Sequence, residues 1–209
     1  AKSRDDGYTI ASLYWWAQND NLTEYTNIMR DNINQLILEA ETGTHDDIAK
    51  VVLEMYRHIY RCTSIQKKIW YEFKDNRWVN IDSGFSLSMK LSDEVAKEYI
   101  ALASNYFGQS GNLKGFENDN MIQKARNALK VVDKLKTVSF REQVMTACAI
   151  RFHEISKNFE ELLDSNSNLI GFNNGVFDLE KGCFRQGLPD DYVSNSKTYD
   201  YKEYEEDEE

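Results

Sequence analysis

The residues best suited to chemistry in this sequence are cations interleaved with aromatic rings. Residues 67–82, KKIWYEFKDNRWVNID, alternate around Asp75-Asn76, a pattern typical of a β-hairpin with a two-residue turn. One face of that hairpin carries Lys68, Trp70, Lys74 and Arg77. Such a face suits single-stranded DNA, because phosphates need cations and bases stack on rings. There are two alternatives. Either Trp70 is part of the core, or polar and apolar residues alternate along the strands only because one side of the hairpin faces solvent.

A second basic surface is predicted on a helix over residues 119–135. Arg126, Lys130 and Lys134 stand at i, i+4 and i+8, opposite an apolar side formed by Ile122, Ala125, Leu129 and Val132. The candidate DNA-binding residues in this part of the chain are Lys124, Arg126, Lys130, Lys134, Lys136 and Arg141. A solvated helix face and a surface for ring-closing contacts are the two alternatives for the stripe.

The stretch NLIGFNNGVFDLEKGCFRQG, residues 168–187, raises the question of a phosphate-binding loop. Asn173-Asn174-Gly175 and Glu180-Lys181-Gly182 each separate apolar runs. A phosphate cradle needs a glycine-rich loop that opens into a helix, whereas both of these breaks open into strand-like runs. The pattern therefore favours tight turns in a small β-meander.

The motifs that would make this chain an enzyme are absent from its sequence. It contains no GxxxxGK[ST] loop, no HExxH, no GxSxG and no zinc-finger spacing. His58 and Cys62, four apart on a predicted helix over 44–62, supply too few ligands for a metal site. We therefore predict no catalytic residue, no metal and no cofactor within these 209 residues.

Charge and cysteine usage narrow the class of protein. The net charge is −10, but the tail YDYKEYEEDEE, residues 199–209, holds seven acids and one lysine, so the acidic average does not exclude a basic surface elsewhere. No apolar run is long enough to span a membrane. Cys62, Cys148 and Cys183 are odd in number and lack CxxC spacing, which favours reduced thiols in an intracellular protein.

Helical periodicity dominates the first three quarters of the chain. Helices are predicted over about 8–19, 22–40, 44–62, 91–107, 119–135, 138–155 and 158–164. Thr44 is the predicted N-cap of the third, with Asp47 three places on. The predicted fold is α+β, mainly α-helical, with two small antiparallel β-hairpin or meander elements at about 67–82 and 168–187. Within the first, Phe73 is expected opposite Trp78 and Tyr71 opposite Asn80.

The segment LLDSNSNLIGFNNGVFDLEKGCFRQGLPDDYVS, residues 162–194, resembles a motif found just before the ATPase of viral primase-helicases. The matching positions that carry the motif include Asp164, Asn174, Gly175, Asp178, Pro189 and Asp191. The family is the helicase amino-terminal domain of poxvirus-type and giant-virus DNA primase-helicases, also found in satellite-phage and plasmid primases. WYEFKDNRWV is similar to the family's aromatic hairpin, and GYTIASLYWWAQND resembles the segment that leaves its primase half.

The resemblance implies a domain between two catalytic modules. Residues 1–20 would be the exit segment of an upstream primase-like region, and residues 21–198 would form the helicase amino-terminal domain. Residues 199–209 would be an acidic linker toward a superfamily-3 ATPase. ATP and Mg²⁺ would belong to that ATPase. The expected partners are the parent's primase and ATPase domains, further copies in a ring hexamer and single-stranded or forked DNA, with no membrane. The expected location is the host cytoplasm, where the virus replicates.

Three functions follow as alternatives. The first is a non-catalytic domain that couples and assembles the helicase ring. The second is a module that binds single-stranded nucleic acid directly. The third is a protein-interaction or packing module without a DNA role, favoured by adjacent Tyr14, Trp15 and Trp16, which an upstream domain would cover.

Overall fold

Seven α-helices and two three-stranded sheets make up the described part of the chain. The computed structural model describes residues 21–40, 43–111 and 114–203. The helices are α1 Leu22–Glu39, α2 His45–Tyr56, α3 Phe85–Lys90, α4 Ala96–Ser110, α5 Phe116–Leu135, α6 Val138–Glu154 and α7 Phe159–Leu162. A π-helical turn, Leu91–Val95, joins α3 to α4. The strands are β1 Tyr60–Ser64, β2 Ile69–Lys74, β3 Arg77–Asp82, β4 Leu169–Phe172, β5 Gly175–Asp178 and β6 Cys183–Arg185.

These elements confirm the predicted α+β class. The predicted helix over 8–19, the cluster Tyr14, Trp15 and Trp16, and tail residues 204–209 lie outside the described residues.

The start of α2 is as predicted, but its end is not. The Thr44 hydroxyl accepts a hydrogen bond from the backbone N–H of Asp47 at 3.2 Å, which satisfies one of the free donors of the first turn. The predicted helix over 44–62 is wrong beyond Tyr56, because Tyr60–Ser64 forms β1 and pairs with β2. The ladder hydrogen bonds with β2 override the helical spacing of apolar residues, so His58 and Cys62 do not share a helix.

The strands β1, β2 and β3 form an antiparallel sheet in that order, called here the hairpin sheet. Lys74 pairs with Arg77, and Asp75 and Asn76 both adopt positive φ, as a type I′ turn requires. Phe73 lies opposite Trp78 and Tyr71 opposite Asn80, so the predicted register is confirmed.

The main core lies between the helices and one face of the hairpin sheet. Trp70 on that face is 2% exposed, and its ring lies 5.4 Å from that of Phe152 in α6. The predicted apolar side of α5 is correct at Ala125 and Val132, but Leu129 is 37% exposed. The buried side of α5 also includes Ala128, Val131 and Leu135.

The strands β4, β5 and β6 form the second antiparallel sheet, called here the meander sheet. Asn173 and Asn174 form a two-residue turn between β4 and β5, and Gly182 adopts positive φ in the turn before β6. The predicted turns and meander are therefore confirmed, although the first turn forms without positive φ at Asn173, Asn174 or Gly175. The chain then continues through residues 193–203, called here the closing segment, which forms a parallel bridge from Ser196 to Gly171.

Candidate functional site

Only part of the predicted DNA-binding face of the hairpin is open. Lys68 and Lys74 are exposed. Trp70 shares that face with Lys74 and Arg77, as predicted, but its candidate DNA contact is corrected: its ring is buried against Phe152, so it belongs to the core and has no surface for a base. Arg77 is half-buried and donates a hydrogen bond to Ser196 Oγ, so its cation is directed at the closing segment.

The predicted basic stripe on α5 is exposed along its length. Arg126, Lys130 and Lys134 are all exposed, and Lys136 follows them at the end of the helix. Within the described residues, neither Arg126 nor Lys130 forms an ion pair. The cations of Arg126 and Lys130 are therefore accessible to a negatively charged partner, whereas the Lys134 ammonium lies 5.7 Å from the ring centroid of Phe140 in a cation–π contact.

The remaining two candidates near the stripe are less accessible. The Lys124 ammonium lies 5.6 Å from the ring centroid of Tyr106 in a cation–π contact. Arg141 Nη1 donates to the carbonyl oxygen of Leu135 at 3.0 Å, so it satisfies one of the free carbonyls at the end of α5. Arg141 therefore caps a helix.

Asp164 ties the end of α7 to the closing segment. Its carboxylate accepts hydrogen bonds from the backbone N–H groups of Ser194 at 2.8 Å and Asn195 at 3.1 Å. The side chains of Ser194 and Asn195 also donate to it. Partial burial opposes ionisation, but these four donors stabilise the charged form and hold the pKa of Asp164 below its ordinary value.

Arg185, Asp178 and Asp191 form the ionic centre of the meander sheet. Arg185 binds Asp191 through two parallel hydrogen bonds of 2.7 Å, the bidentate geometry typical of arginine and a carboxylate. Asp191 also accepts from Leu188 N–H at 2.7 Å. The buried Asp178 accepts from the N–H groups of Glu180 and Lys181, both at 3.1 Å, and so shapes the turn before β6.

Asn174 and Pro189 hold the meander region to its neighbours, and Gly175 allows close packing within the sheet. Asn174 Nδ2 donates to the carbonyl oxygen of Tyr201 at 3.0 Å, and the N–H of Tyr201 donates to Asn174 Oδ1 at 2.9 Å. A Cβ at Gly175 would lie 2.5 Å from the backbone oxygen of Arg185 and 2.6 Å from the ring of Phe184, so any larger residue would clash with both. The carbonyl of Pro189 accepts a hydrogen bond of 2.8 Å from the indole N–H of Trp78.

Sequence reasoning missed Asn76 and Trp78 as the residues that join the two sheets. Asn76 Oδ1 accepts from Gly187 N–H at 3.0 Å, and Asn76 Nδ2 donates to Asn173 O at 3.4 Å. Trp78 is 1% exposed, and its backbone N–H donates to Val193 O at 2.8 Å. One signal in the sequence could have indicated this. Alternation places Trp78 and Trp70 on opposite faces of the hairpin, so burying both rings requires a covering layer on each face.

That second layer is aromatic and contains a cation. The Trp78 ring packs edge-on against Phe159 of α7, with centroids 4.9 Å apart. The Arg61 guanidinium lies 5.2 Å from the Trp78 ring centroid, and its Nη1 donates to the carbonyl of Tyr60 at 2.8 Å. Arg61 is therefore a structural cation, which sequence reasoning also missed.

The described residues contain no group of three or more His, Cys, Asp or Glu side chains placed to hold a metal ion. Cys62 and Cys148 are buried thiols, and burial raises the pKa of Cys62 to about 11, so the reactive thiolate is scarce near neutral pH. No helix in this part of the chain is both long and apolar enough to cross a membrane.

The fold and these contacts define a class of protein: a helical domain with a small β-meander that side-chain hydrogen bonds fasten to a central hairpin. The profile of the family described as D5 N terminal like matches residues 49–209. The chain belongs to that family. The predicted relation to the amino-terminal domain of large-DNA-virus helicases is thereby confirmed.

Three relatives come from large DNA viruses. "Putative helicase L207/L206" of Acanthamoeba polyphaga mimivirus is 37% identical over 206 residues, which cover 99% of this chain and 21% of the relative. "Putative helicase 022R" of Frog virus 3 (isolate Goorha) is 24% identical over 231 residues, covering 95% and 23%. "Putative helicase 121R" of Invertebrate iridescent virus 3 is 25% identical over 226 residues, covering 92% and 23%. The chain thus spans roughly a fifth of the length of these relatives.

Proposed function

We propose that this chain is the non-catalytic coupling domain of a viral replicative DNA helicase. It supports the assembly of the helicase ring and transmits force between the motor and the rest of the protein. Membership in a family whose relatives are named as helicases supports this role. The expected partners are a primase domain, an ATPase domain that holds ATP and Mg²⁺, and neighbouring copies in the ring. The expected site of action is the host cytoplasm.

The observation that carries the proposal is the attachment of the closing segment at several independent points. Val193 bonds to the hairpin sheet through Trp78, Ser194 and Asn195 bond to Asp164, and Tyr201 bonds to Asn174. A segment held by both sheets and by α7 cannot pivot freely. A motor joined to such a segment would move with the domain, which is what coupling requires.

The test separates coupling from catalysis in the whole helicase. Asp164→Ala combined with Asn174→Ala should release the closing segment. We expect DNA unwinding to fall several-fold while ATP hydrolysis per protein is retained. Asp133→Ala, an exposed carboxylate on α5, is the matched control and should leave both rates unchanged. Equal losses of hydrolysis and unwinding, or no loss of either, would contradict the coupling role.

A second function, direct contact with single-stranded DNA, is favoured by the exposed stripe on α5. Arg126→Glu with Lys130→Glu should weaken binding of a labelled single strand in fluorescence anisotropy. It should also reduce the slope of log K against log salt by about 0.7 for each phosphate that the protein no longer neutralises. Lys97→Glu with Lys157→Glu reverses two exposed cations elsewhere and is the control. If both pairs lower the affinity equally, the effect is one of net charge and the stripe is not a site.

A further inference from the structure

The meander sheet contains a site shaped for one flat ring. Tyr201 lies among Phe172, Phe177 and Phe184, with ring centroids 5.4, 5.3 and 4.6 Å away. Its plane is 17° from that of Phe184, and this is the one stacked aromatic pair among the described residues. Phe172, Phe177 and Phe184 are named here the aromatic cage.

The backbone of the meander sheet explains why the cage exists. Phe177 pairs with Phe184 across β5 and β6, and Phe172 pairs with Gly175 across β4 and β5, so all three rings project from one face. Because Gly175 has no side chain, Phe184 can lie over its backbone, where a Cβ would approach the ring to 2.6 Å. The glycine of the sequence motif thus allows Phe184 to pack close to the sheet, with its ring stacked on that of Tyr201.

The ring in the cage belongs to a short acidic segment at the surface. Tyr201 is held by the side-chain amide of Asn174, and Tyr199 is 60% exposed. Asp200 and Glu203 flank Tyr201, and acids continue to residue 209. A chain that carries negative charges and presents a planar ring has the two chemical features of a single strand of nucleic acid.

The geometry points to a nucleobase site in the aromatic cage, which Tyr201 occupies in competition with single-stranded DNA. A base would replace the Tyr201 ring on Phe184, while the side-chain amide of Asn174 keeps its two bonds to the backbone of Tyr201 and the closing segment stays attached. Base stacking on an aromatic face is tolerant of sequence, so the ligand is an unpaired strand without strong base preference. This inference rests on the proposed DNA contact and assigns it a second site, away from α5.

The experiment uses the chain as it stands and a fluorescein-labelled oligothymidylate. Tyr201→Ala empties the cage without changing the net charge, and binding should become at least about fivefold tighter than for the unaltered chain. Tyr201→Phe keeps a ring in the cage and should bind like the unaltered chain. Phe184→Ala added to Tyr201→Ala removes the stacking face and should abolish the gain. An abasic strand of equal length should show no gain with any variant.

Several outcomes would overturn the site. One is that Tyr201→Ala does not raise the affinity for the oligothymidylate, and another is that it raises the affinity for the abasic strand equally. A third is that it raises the affinity for a peptide of sequence TYDYKE but not for the oligothymidylate. The indole N–H signal of Trp78, which depends on its bond to Pro189, shows by NMR that the meander sheet stays folded in each variant. Loss of binding in the α5 variant with no effect at Tyr201 would leave the stripe proposal intact and reject the cage alone. The unwinding and hydrolysis rates of the Asp164→Ala, Asn174→Ala helicase test the coupling role alone and neither support nor reject the aromatic cage.

Discussion

The two three-stranded sheets have the same antiparallel connectivity but are held in place by different forces. The hairpin sheet buries Trp70 on its helical face and Trp78 on the other, at 2% and 1% exposure. The meander sheet buries few large side chains and depends on Asp164, Asn174 and the Arg185–Asp191 pair. Apolar burial is non-directional, whereas hydrogen bonds and ion pairs fix orientation.

The difference assigns the two sheets different parts in the domain. The hairpin sheet is a component of the core and should unfold only with the helices. The meander sheet is an attached layer that can separate locally, because directional contacts in partly exposed positions give modest net stabilisation. Regions of low local stability are those from which mobile and ligand-binding elements are drawn.

The largest expected effect is that of Trp70→Ala. Truncation removes a fully buried aromatic side chain from the main core and should lower the free energy of unfolding by about 3–5 kcal/mol. Urea denaturation monitored by circular dichroism measures this, with Trp70→Phe as the milder control. If the loss were below about 1 kcal/mol, the hairpin sheet would not be part of the core.

Trp78→Phe should have an intermediate effect. Phenylalanine keeps an aromatic ring beside Phe159 but leaves the Pro189 carbonyl without the indole donor, so we expect a loss of about 1–3 kcal/mol. Hydrogen exchange should show faster exchange in β4 and β5 than in α6. Uniform acceleration across both sheets would mean that the two sheets unfold together, contrary to the comparison.

Asp164→Ala should have a smaller and more local effect. The backbone N–H groups of Ser194 and Asn195 lose their acceptor but can reach water, so the global loss should be only about 1 kcal/mol. Protection from exchange should fall in residues 193–197 and stay unchanged in the helices. Asp93→Ala, an exposed carboxylate on the π-helical turn, is the control. A loss comparable to that of Trp70→Ala would place the closing segment in the core.

The smallest expected effect is on the pH dependence of the closing segment. The pKa of Asp164 is lower in the folded than in the unfolded state, so its stabilisation is fully present above the unfolded pKa. That stabilisation disappears as the pH falls through the lower, folded pKa. Amide signals of Ser194 and Asn195 should therefore shift in NMR spectra below about pH 4. In Asp164→Asn the same signals should not follow this titration, and an unaltered titration would assign it to another group.

Local patterns predicted the hairpin and the meander because their signals lie within a few residues. The Asp75-Asn76 turn and the flanking alternation determine the register of β2 and β3 without any distant contact. Strand β1 was not predictable in the same way, since Tyr60–Ser64 is extended only through its pairing with β2. The apolar residues that precede it follow helical spacing, so the sequence pattern predicted that the helix would continue to residue 62.

The candidate site was predicted less completely than the fold. Alternation shows which hairpin residues share a face but not which face is covered, so the sequence left open whether Trp70 stacks on a base or lies in the core, where the structure places it. Asp164 and Ser194 stand 30 residues apart, and no local pattern indicates that one accepts from the other. The position of Tyr201 on Phe184 depends on the same long-range closure. Accessibility of the α5 stripe was predictable, because helical periodicity places it opposite the buried side.

The bonds at the two outer strands of the hairpin sheet have a consequence for aggregation. An open strand edge offers unpaired N–H and C=O groups that recruit strands from other molecules. Here the N–H of Cys62 on β1 donates to Ser156 Oγ at 3.1 Å, and the N–H of Trp78 on β3 donates to Val193 O at 2.8 Å. Both edges thus have backbone donors already engaged. Each edge therefore offers fewer free donors for pairing with a strand of another copy.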